Sequence, residues 1–327
     1  MPLIDPAEIT DGNRRALARA ITLVESSRAD HRQQAEQLLS ALMPKTGQSI
    51  RLGISGAPGV GKSTFIEAFG QYLVGTGKKI AVLAVDPSST ITGGSILGDK
   101  TRMESLSNNA NVFIRPSPSG LSLGGVARRT QETILLCEAA GYDFIIVETV
   151  GVGQSEVLVS QMTDVFLLLL LPAAGDELQG IKRGIMELAD IIAVNKADGD
   201  LEARANHAAA DVKRALNLLH PRLKNWSVPV IATSAINNQG MTEVYASICD
   251  YLDALEVDEQ LETRRAQQRK NWLWREVHES LLQALRSADD AESMIEAIES
   301  AVLSGDLPAS QGARQLVKNF LENSKQR

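Results

Sequence analysis

The stretch Gly56-Ala57-Pro58-Gly59-Val60-Gly61-Lys62-Ser63 decides the fold, because it follows an apolar run at 50–54 and opens a segment of helical periodicity. A strand that turns through a Gly-rich loop into a helix is the setting in which a phosphate-binding loop works. Gly56, Gly59 and Gly61 admit backbone angles and an approach denied to larger residues, so consecutive amides can face an anion. The amino end of the following helix adds its dipole. Lys62 supplies a positive charge to the β and γ phosphates of a nucleotide, the Ser63 hydroxyl is an oxygen ligand for Mg²⁺, and Thr64 adds a contact to the α phosphate.

Outward from this loop, short apolar runs recur at 80–85, 144–147, 165–171, 191–194 and 230–232, most of them separated by helix-length segments. Continuous rather than alternating apolar runs imply burial on both faces, and strand-helix alternation implies a mainly parallel, doubly wound α/β sheet of the P-loop NTPase class. Ligands then sit at the carboxyl ends of the strands. Residues 1–45 read as a helical extension of two helices, from Leu17, Ile21 and Val24 and from Ala35, Leu38, Leu39 and Leu42 at helical spacing. The nucleotide-binding domain is assigned to 46–257. Residues 258–327 carry no further strand pattern and read as charged helices, with Trp274, Val277, Leu281 and Leu285 on one stripe. That stripe suits either packing on its own domain or a dimerisation arm.

Composition narrows the partners. The 33 basic residues against 40 acidic ones give a formal charge of −7 over 327 residues, so there is no global cationic field for nucleic acid or an anionic membrane. The longest apolar run, 165–171, is too short to span a bilayer, and the start MPLIDPAEITDG has neither a secretory core nor a transit pattern. A cytoplasmic location is expected. Cys137 and Cys249 each lie in a helical apolar pattern and read as packing residues in a reducing compartment.

Two further motifs complete a nucleotide site. The run at 144–147 delivers Glu148 to the place of a Walker B acid, where it holds Mg²⁺ through a water; Asp is usual there, and the extra methylene leaves direct ligation open. Gly151 is the amide donor for the γ phosphate, and the segment through Gln154 to Glu156 reads as a switch that orders with the nucleotide. Asn195-Lys196-Ala197-Asp198 ends the 191–194 run. The Asp198 carboxylate offers two acceptors for guanine N1 and N2, Asn195 braces the loop and can reach N7, and the Lys196 stem covers the base face. Thr233-Ser234-Ala235 ends the next run, aiming the Ala235 amide at guanine O6 and so penalising adenine. Together these motifs read as a P-loop GTPase. No Gln directly follows Gly151, so water must be positioned by the acids, by Gln154 or by a partner, and intrinsic turnover is expected to be slow.

The stretches Asp86-Pro87-Ser88-Ser89-Thr90, Gly93-Gly94-Ser95-Ile96-Leu97-Gly98-Asp99-Lys100-Thr101-Arg102-Met103, Glu148 through Glu156 and Gly175-Asp176-Glu177-Leu178-Gln179-Gly180-Ile181-Lys182 exceed what a generic small GTPase carries. They closely resemble the MeaB/ArgK family, the GTPase chaperones of adenosylcobalamin-dependent acyl-CoA mutases, to which the human methylmalonic aciduria type A protein is related. The resemblance runs from about residue 10 onward and thins after about residue 255. It implies a homodimer made by the C-terminal helical arm, with GTP or GDP and Mg²⁺ as ligands and no cobalamin bound directly. It places Asp86 and Asp99 with Glu148 near the metal and the γ phosphate; read without it, Asp86 before Pro87 could be a turn former and Asp99 a solvated charge. It makes 176–182 a further switch, with Asp176, Gln179 and Lys182 between nucleotide and partner. The partner it implies is a mutase, methylmalonyl-CoA mutase first, with an adenosyltransferase as a second candidate.

Three other readings are weaker. A kinase linked to amino-acid transport needs a route across a membrane, and no export signal is visible. A nickel-inserting GTPase needs clustered soft or imidazole ligands, whereas His31, His207, His220 and His278 are scattered. A signal-recognition GTPase needs a Met-rich groove that seven scattered Met residues do not make.

Overall fold

The structure, a computed structural model, describes residues 3–26, 28–85, 103–116, 123–149, 155–172, 183–218, 223–257, 259–287 and 291–324. Among them, one parallel sheet contains β1 (Ile50–Gly56), β2 (Ile80–Val85), β3 (Val112–Arg115), β4 (Phe144–Thr149), β5 (Val165–Leu170), β6 (Ile191–Val194) and β7 (Val230–Ala232). Their order is β3-β2-β4-β1-β5-β6-β7. The helices are α1 (Pro6–Thr10), α2 (Arg14–Glu25), α3 (Ala29–Leu42), α4 (Lys62–Gly75), α5 (Glu104–Ser107), α6 (Leu123–Ala139), α7 (Ser155–Ser160), α8 (Arg183–Met186), α9 (Glu202–Leu216), α10 (Met241–Glu256), α11 (Gln260–Arg286), α12 (Ala291–Leu303) and α13 (Ala309–Ser324).

The doubly wound expectation holds residue by residue. Alternate strand residues Leu52, Ile54, Val82, Ile146 and Leu167 are buried beneath α4 and α10. Their neighbours Ala81, Leu83, Ile145, Val147 and Phe166 are buried beneath α2, α3 and α6. The N-terminal helices therefore complete one of the two layers over the sheet, which is why their stripe of Leu17, Ile21 and Val24 is buried. Alpha-helix α1 is an addition to the two helices read from sequence: Asp5 accepts from Ala7 N at 2.9 Å and Pro6 occupies the first turn. Asn13 caps α2 in the same way. Strand β3 is also an addition. Its apolar content is Val112, Phe113 and Ile114 between an Asn-rich stretch and Pro116, too short to read as a strand, and it lies at the sheet edge. Cys137 is buried, and burial pushes its thiol well above the usual range, so it is a packing residue; Cys249 is half-buried.

At the amino edge of the sheet two acids recur in one pattern. Asp164 immediately precedes β5 and Asp190 immediately precedes β6, and both are buried. Arg265 of α11 donates to Asp164 Oδ1 at 2.9 Å and Oδ2 at 2.6 Å, and to the carbonyl of Ser49 at 2.7 Å. Burial opposes the Arg265 charge, but the hydrogen bonds and attraction of Asp164 outweigh it and raise its pKa. Arg264 reaches Asp190 Oδ2 at 3.3 Å and Tyr251 Oη at 2.6 Å, and Tyr251 donates to Asp190 Oδ1 at 2.6 Å. Gln268 donates to the Thr163 carbonyl at 2.8 Å. The start of α11 is thus rooted under the sheet.

The chain divides into two compact units, Met1–Gln268 and Arg269–Arg327, with the division inside α11. In the second unit α12 and α13 pack together, with Gly312 close against Ile298 and Val302. Trp274 is 64 % exposed and Leu281 56 % exposed. No helix among the described residues is long and apolar enough to cross a membrane.

Candidate nucleotide site

Strand β1 runs into the loop that opens α4, and the loop geometry follows from its glycines. Gly59 has φ 80° and Gly61 has φ 90°, left-handed values that favour glycine. A Cβ on Gly61 would also lie 2.9 Å from Asn195 Nδ2. Gly61 caps α4 without any side-chain hydrogen bond, so the first-turn amides keep no internal side-chain acceptor and face outward as an anion cradle. Ala57, Pro58 and Gly59 are exposed, while Val60 is buried and pins the loop to the core. The Lys62 ammonium folds back over the loop, 2.8 Å from Gly56 O and 3.4 Å from Ala57 O. Burial pushes its pKa below the ordinary lysine value, while Glu148 and Glu156 pull it back.

The carboxyl end of β4 brings Glu148 beside this loop through the pairing of Ile54 with Glu148. Glu148 is buried, and its Oε1 lies 3.4 Å from Ser63 Oγ. Thr149 donates to Ser55 Oγ at 2.9 Å in the interior, tying β4 to β1 just below the loop. A hydroxyl and a carboxylate this close are the hard oxygen donors that Mg²⁺ takes, with its remaining positions filled by water and phosphate. Among the described residues no group of three or more His, Cys, Asp or Glu is placed to hold a metal. The residues present fit a metal held jointly with the nucleotide.

The motif expected to read guanine, 195–198, lies at the end of β6. Asn195 is buried, and it donates from Nδ2 to Val60 O at 2.9 Å, so the base motif and the phosphate loop are braced directly to each other. Its Oδ1 accepts from Ala235 N at 3.3 Å and Thr233 Oγ1 at 3.4 Å. Lys196 has φ 61°, which turns the chain so that Ala197 N reaches Thr233 O at 2.9 Å. Ser234 donates to Asp198 Oδ2 at 2.5 Å and fixes that carboxylate. The Ala235 amide, expected at guanine O6, is engaged here by Asn195, and serving O6 requires that long bond to be shared.

A family model described as "Methylmalonyl Co-A mutase-associated GTPase MeaB" matches residues 17–290. The chain belongs to the MeaB family. It is 53 % identical over 309 residues to a putative GTPase of Caulobacter vibrioides, covering 94 % of each chain. It is 45 % identical to the methylmalonic aciduria type A homolog, mitochondrial, of Mus musculus, covering 95 % of this chain and 78 % of that one. A solved structure named LAO/AO transport system kinase superposes with TM-score 0.76 at 39 % identity, covering 97 % of this chain and 96 % of that one. As a member of the MeaB family, the protein is a P-loop GTP hydrolase that binds GTP and GDP.

In this MeaB-family GTPase, Gly56 through Thr64, Glu148, Asn195, Lys196, Asp198, Ser234 and Ala235 are brought to one edge of the sheet. Asp86, Asp99, Gly151, Gln154, Asp176, Gln179 and Lys182 lie outside the described residues. Sequence reasoning placed Glu156 in a switch without giving it a role; it is buried at the start of α7 and acts on the Lys62 charge. This second acid beside Lys62 is not readable from spacing.

Proposed function

We propose that this MeaB-family GTPase is a G-protein chaperone that gates cobalamin loading of an adenosylcobalamin-dependent acyl-CoA mutase, methylmalonyl-CoA mutase, and protects or reactivates it. The observation that carries this reading is the match of residues 17–290 to a family named for association with that mutase. The protein works as a homodimer in the cytoplasm and binds no cobalamin itself; an adenosyltransferase is a second partner.

In this reading Lys62 and the loop amides hold the β and γ phosphates, Thr64 meets the α phosphate, and Asp198 and Ala235 read the base. Ser63 and Glu148, joined by Asp86 and Asp99, hold Mg²⁺, which when bound neutralises charge on the phosphates. Gly151 senses the γ phosphate and Gln154 helps position water. With no strong hydrolytic base, turnover is slow until the partner completes the site. The 176–182 segment, with Asp176, Gln179 and Lys182, carries the nucleotide state to the mutase, because a partner is gated only by a difference in its affinity for two states.

The test is a GTPase assay with and without the mutase. The mutase is expected to accelerate hydrolysis, and Gln179→Ala or Lys182→Ala to lose the acceleration while keeping basal turnover and GTP affinity. Equal acceleration in wild type and both variants removes these residues from the switch; no acceleration at all counts against the chaperone role. The same assay judges the transport-linked kinase that the name of the similar solved structure suggests: transfer of the γ phosphate to protein rather than water would favour it.

A further inference from the structure

We infer, on the metal role proposed above for Asp99, that Glu67 is a positioning residue for Mg²⁺: from α4 it holds the start of α5, and so fixes the point at which the chain that carries Asp99 rejoins the described fold.

Helix α5 spans only Glu104–Ser107, and its N-cap residue Met103 makes no side-chain cap. The first-turn amides of such a helix need an acceptor from elsewhere. Glu67 supplies one, because its Oε1 accepts from Leu106 N at 3.2 Å and from the Ser105 hydroxyl. Gln71, four residues on along the same face of α4, donates from Nε2 to Glu67 Oε1 at 3.2 Å and to Ser105 Oγ. A carboxylate of one helix therefore caps another, 39 residues away in the chain. Glu67 Oε2 is buried and has no hydrogen-bond partner among the described residues, so the clip runs through Oε1, an acceptor that glutamine also provides.

Packing brings the same two helices together. Met103 and Leu106 are buried in one cluster with Ile66 and Phe69 of α4. A Cβ on Gly70 would lie 2.7 Å from Leu106 Cδ1, so glycine there lets α5 approach the α4 backbone. Apolar contact is non-directional, whereas the hydrogen bonds of Glu67 set how α5 is seated on α4.

The seat matters because of where α4 begins. Ser63 lies in the first turn of α4, and Glu67 is four residues further on, about 6 Å along the axis. Asp99 precedes Ser105 by six residues, a length of chain that spans at most about 20 Å. A chain pinned about one turn below Ser63 thus has Asp99 within reach of Ser63 and Glu148, whose Oγ and Oε1 lie 3.4 Å apart. Loosening the pin raises the conformational entropy that must be lost when Asp99 meets the metal.

The experiment follows release of a bound, fluorescent, non-hydrolysable GTP analogue from the full chain as free Mg²⁺ is varied. Glu67→Ala is expected to raise the Mg²⁺ concentration at half effect about fivefold, the scale of a lost helix cap, while affinity for the analogue without Mg²⁺ stays within about twofold. Glu67→Gln, which keeps the acceptor, is expected to restore the wild-type Mg²⁺ dependence. Asp99→Asn is measured beside them and is expected to shift the midpoint further. A shift in Asp99→Asn with none in Glu67→Ala overturns the role of Glu67 alone; no shift in either removes Asp99 from the metal and the role of Glu67 with it. Affinity lost equally with and without Mg²⁺, or no rescue by glutamine, shows a general disturbance of α4 and also overturns the proposal. Should Glu67→Ala fail to fold, Ser105→Ala, which removes one donor from the clip, is expected to shift the midpoint about twofold, and an unchanged midpoint overturns the proposal.

Discussion

At the residue scale, the carboxylate proposed to read the base is held in place by one hydroxyl. Ser234 Oγ donates to Asp198 Oδ2 at 2.5 Å, which holds that carboxylate in one orientation. In Asp198→Asn an amide donor would confront a guanine donor and leave buried polar groups unpaired. GTP affinity is expected to fall about tenfold or more, the equivalent of about 1.4 kcal/mol, while xanthosine triphosphate binding improves. Equilibrium binding of both nucleotides decides the matter, and GTP affinity retained within about threefold would sink the assignment of Asp198. The runs 56–63 and 195–198 could be singled out in the sequence because each is contiguous, while their convergence depends on the sheet and on the Asn195 bond to Val60. Glu156 and Arg265 were not legible, since an arginine or glutamate in a helical pattern reads as a solvated charge until its distant partners are known.

Among the elements, legibility followed burial at every strand but β7, a half-buried edge strand whose run at 230–232 was read nonetheless. Strands β1, β2, β4, β5 and β6 are nearly or fully buried on both faces and read as unbroken apolar runs, whereas β3 at the edge is short and did not. The start of α11 is a different case. Its sequence is polar, yet Arg264, Arg265 and Gln268 tie it to the sheet through Asp190, Asp164 and Thr163. A cut after residue 257, just past α10, removes these groups and leaves Asp164, whose side chain is fully buried, without its cation. Removing one partner of a buried ion pair costs about 3–5 kcal/mol. Arg265→Ala is therefore expected to lower stability by about that amount, and a chain ending at 257 to be markedly less stable than one ending at 268. Chemical denaturation compares the three with the full chain. Equal midpoints for the two truncations would show that the root of α11 contributes nothing.

For the whole molecule, the homodimer proposed above is best tested on the exposed apolar residues of α11. Leu273, Trp274, Leu281 and Leu282 are exposed on one continuous helix, with Val277 at the margin, and Trp274, Val277 and Leu281 recur at three and four residues. Apolar surface grouped in this way marks an interaction face, and a second copy of the same chain offers an identical stripe, which an isologous two-fold contact buries on both sides at once. Sedimentation is expected to give a dimer at micromolar concentration. Trp274→Glu combined with Leu281→Glu places four like charges in the two-fold contact and is expected to give monomers, with GTP binding intact because the nucleotide site is built within Met1–Gln268. A monomeric full-length protein at micromolar concentration, or a double variant that remains dimeric, would refute the assignment of this stripe to the dimer.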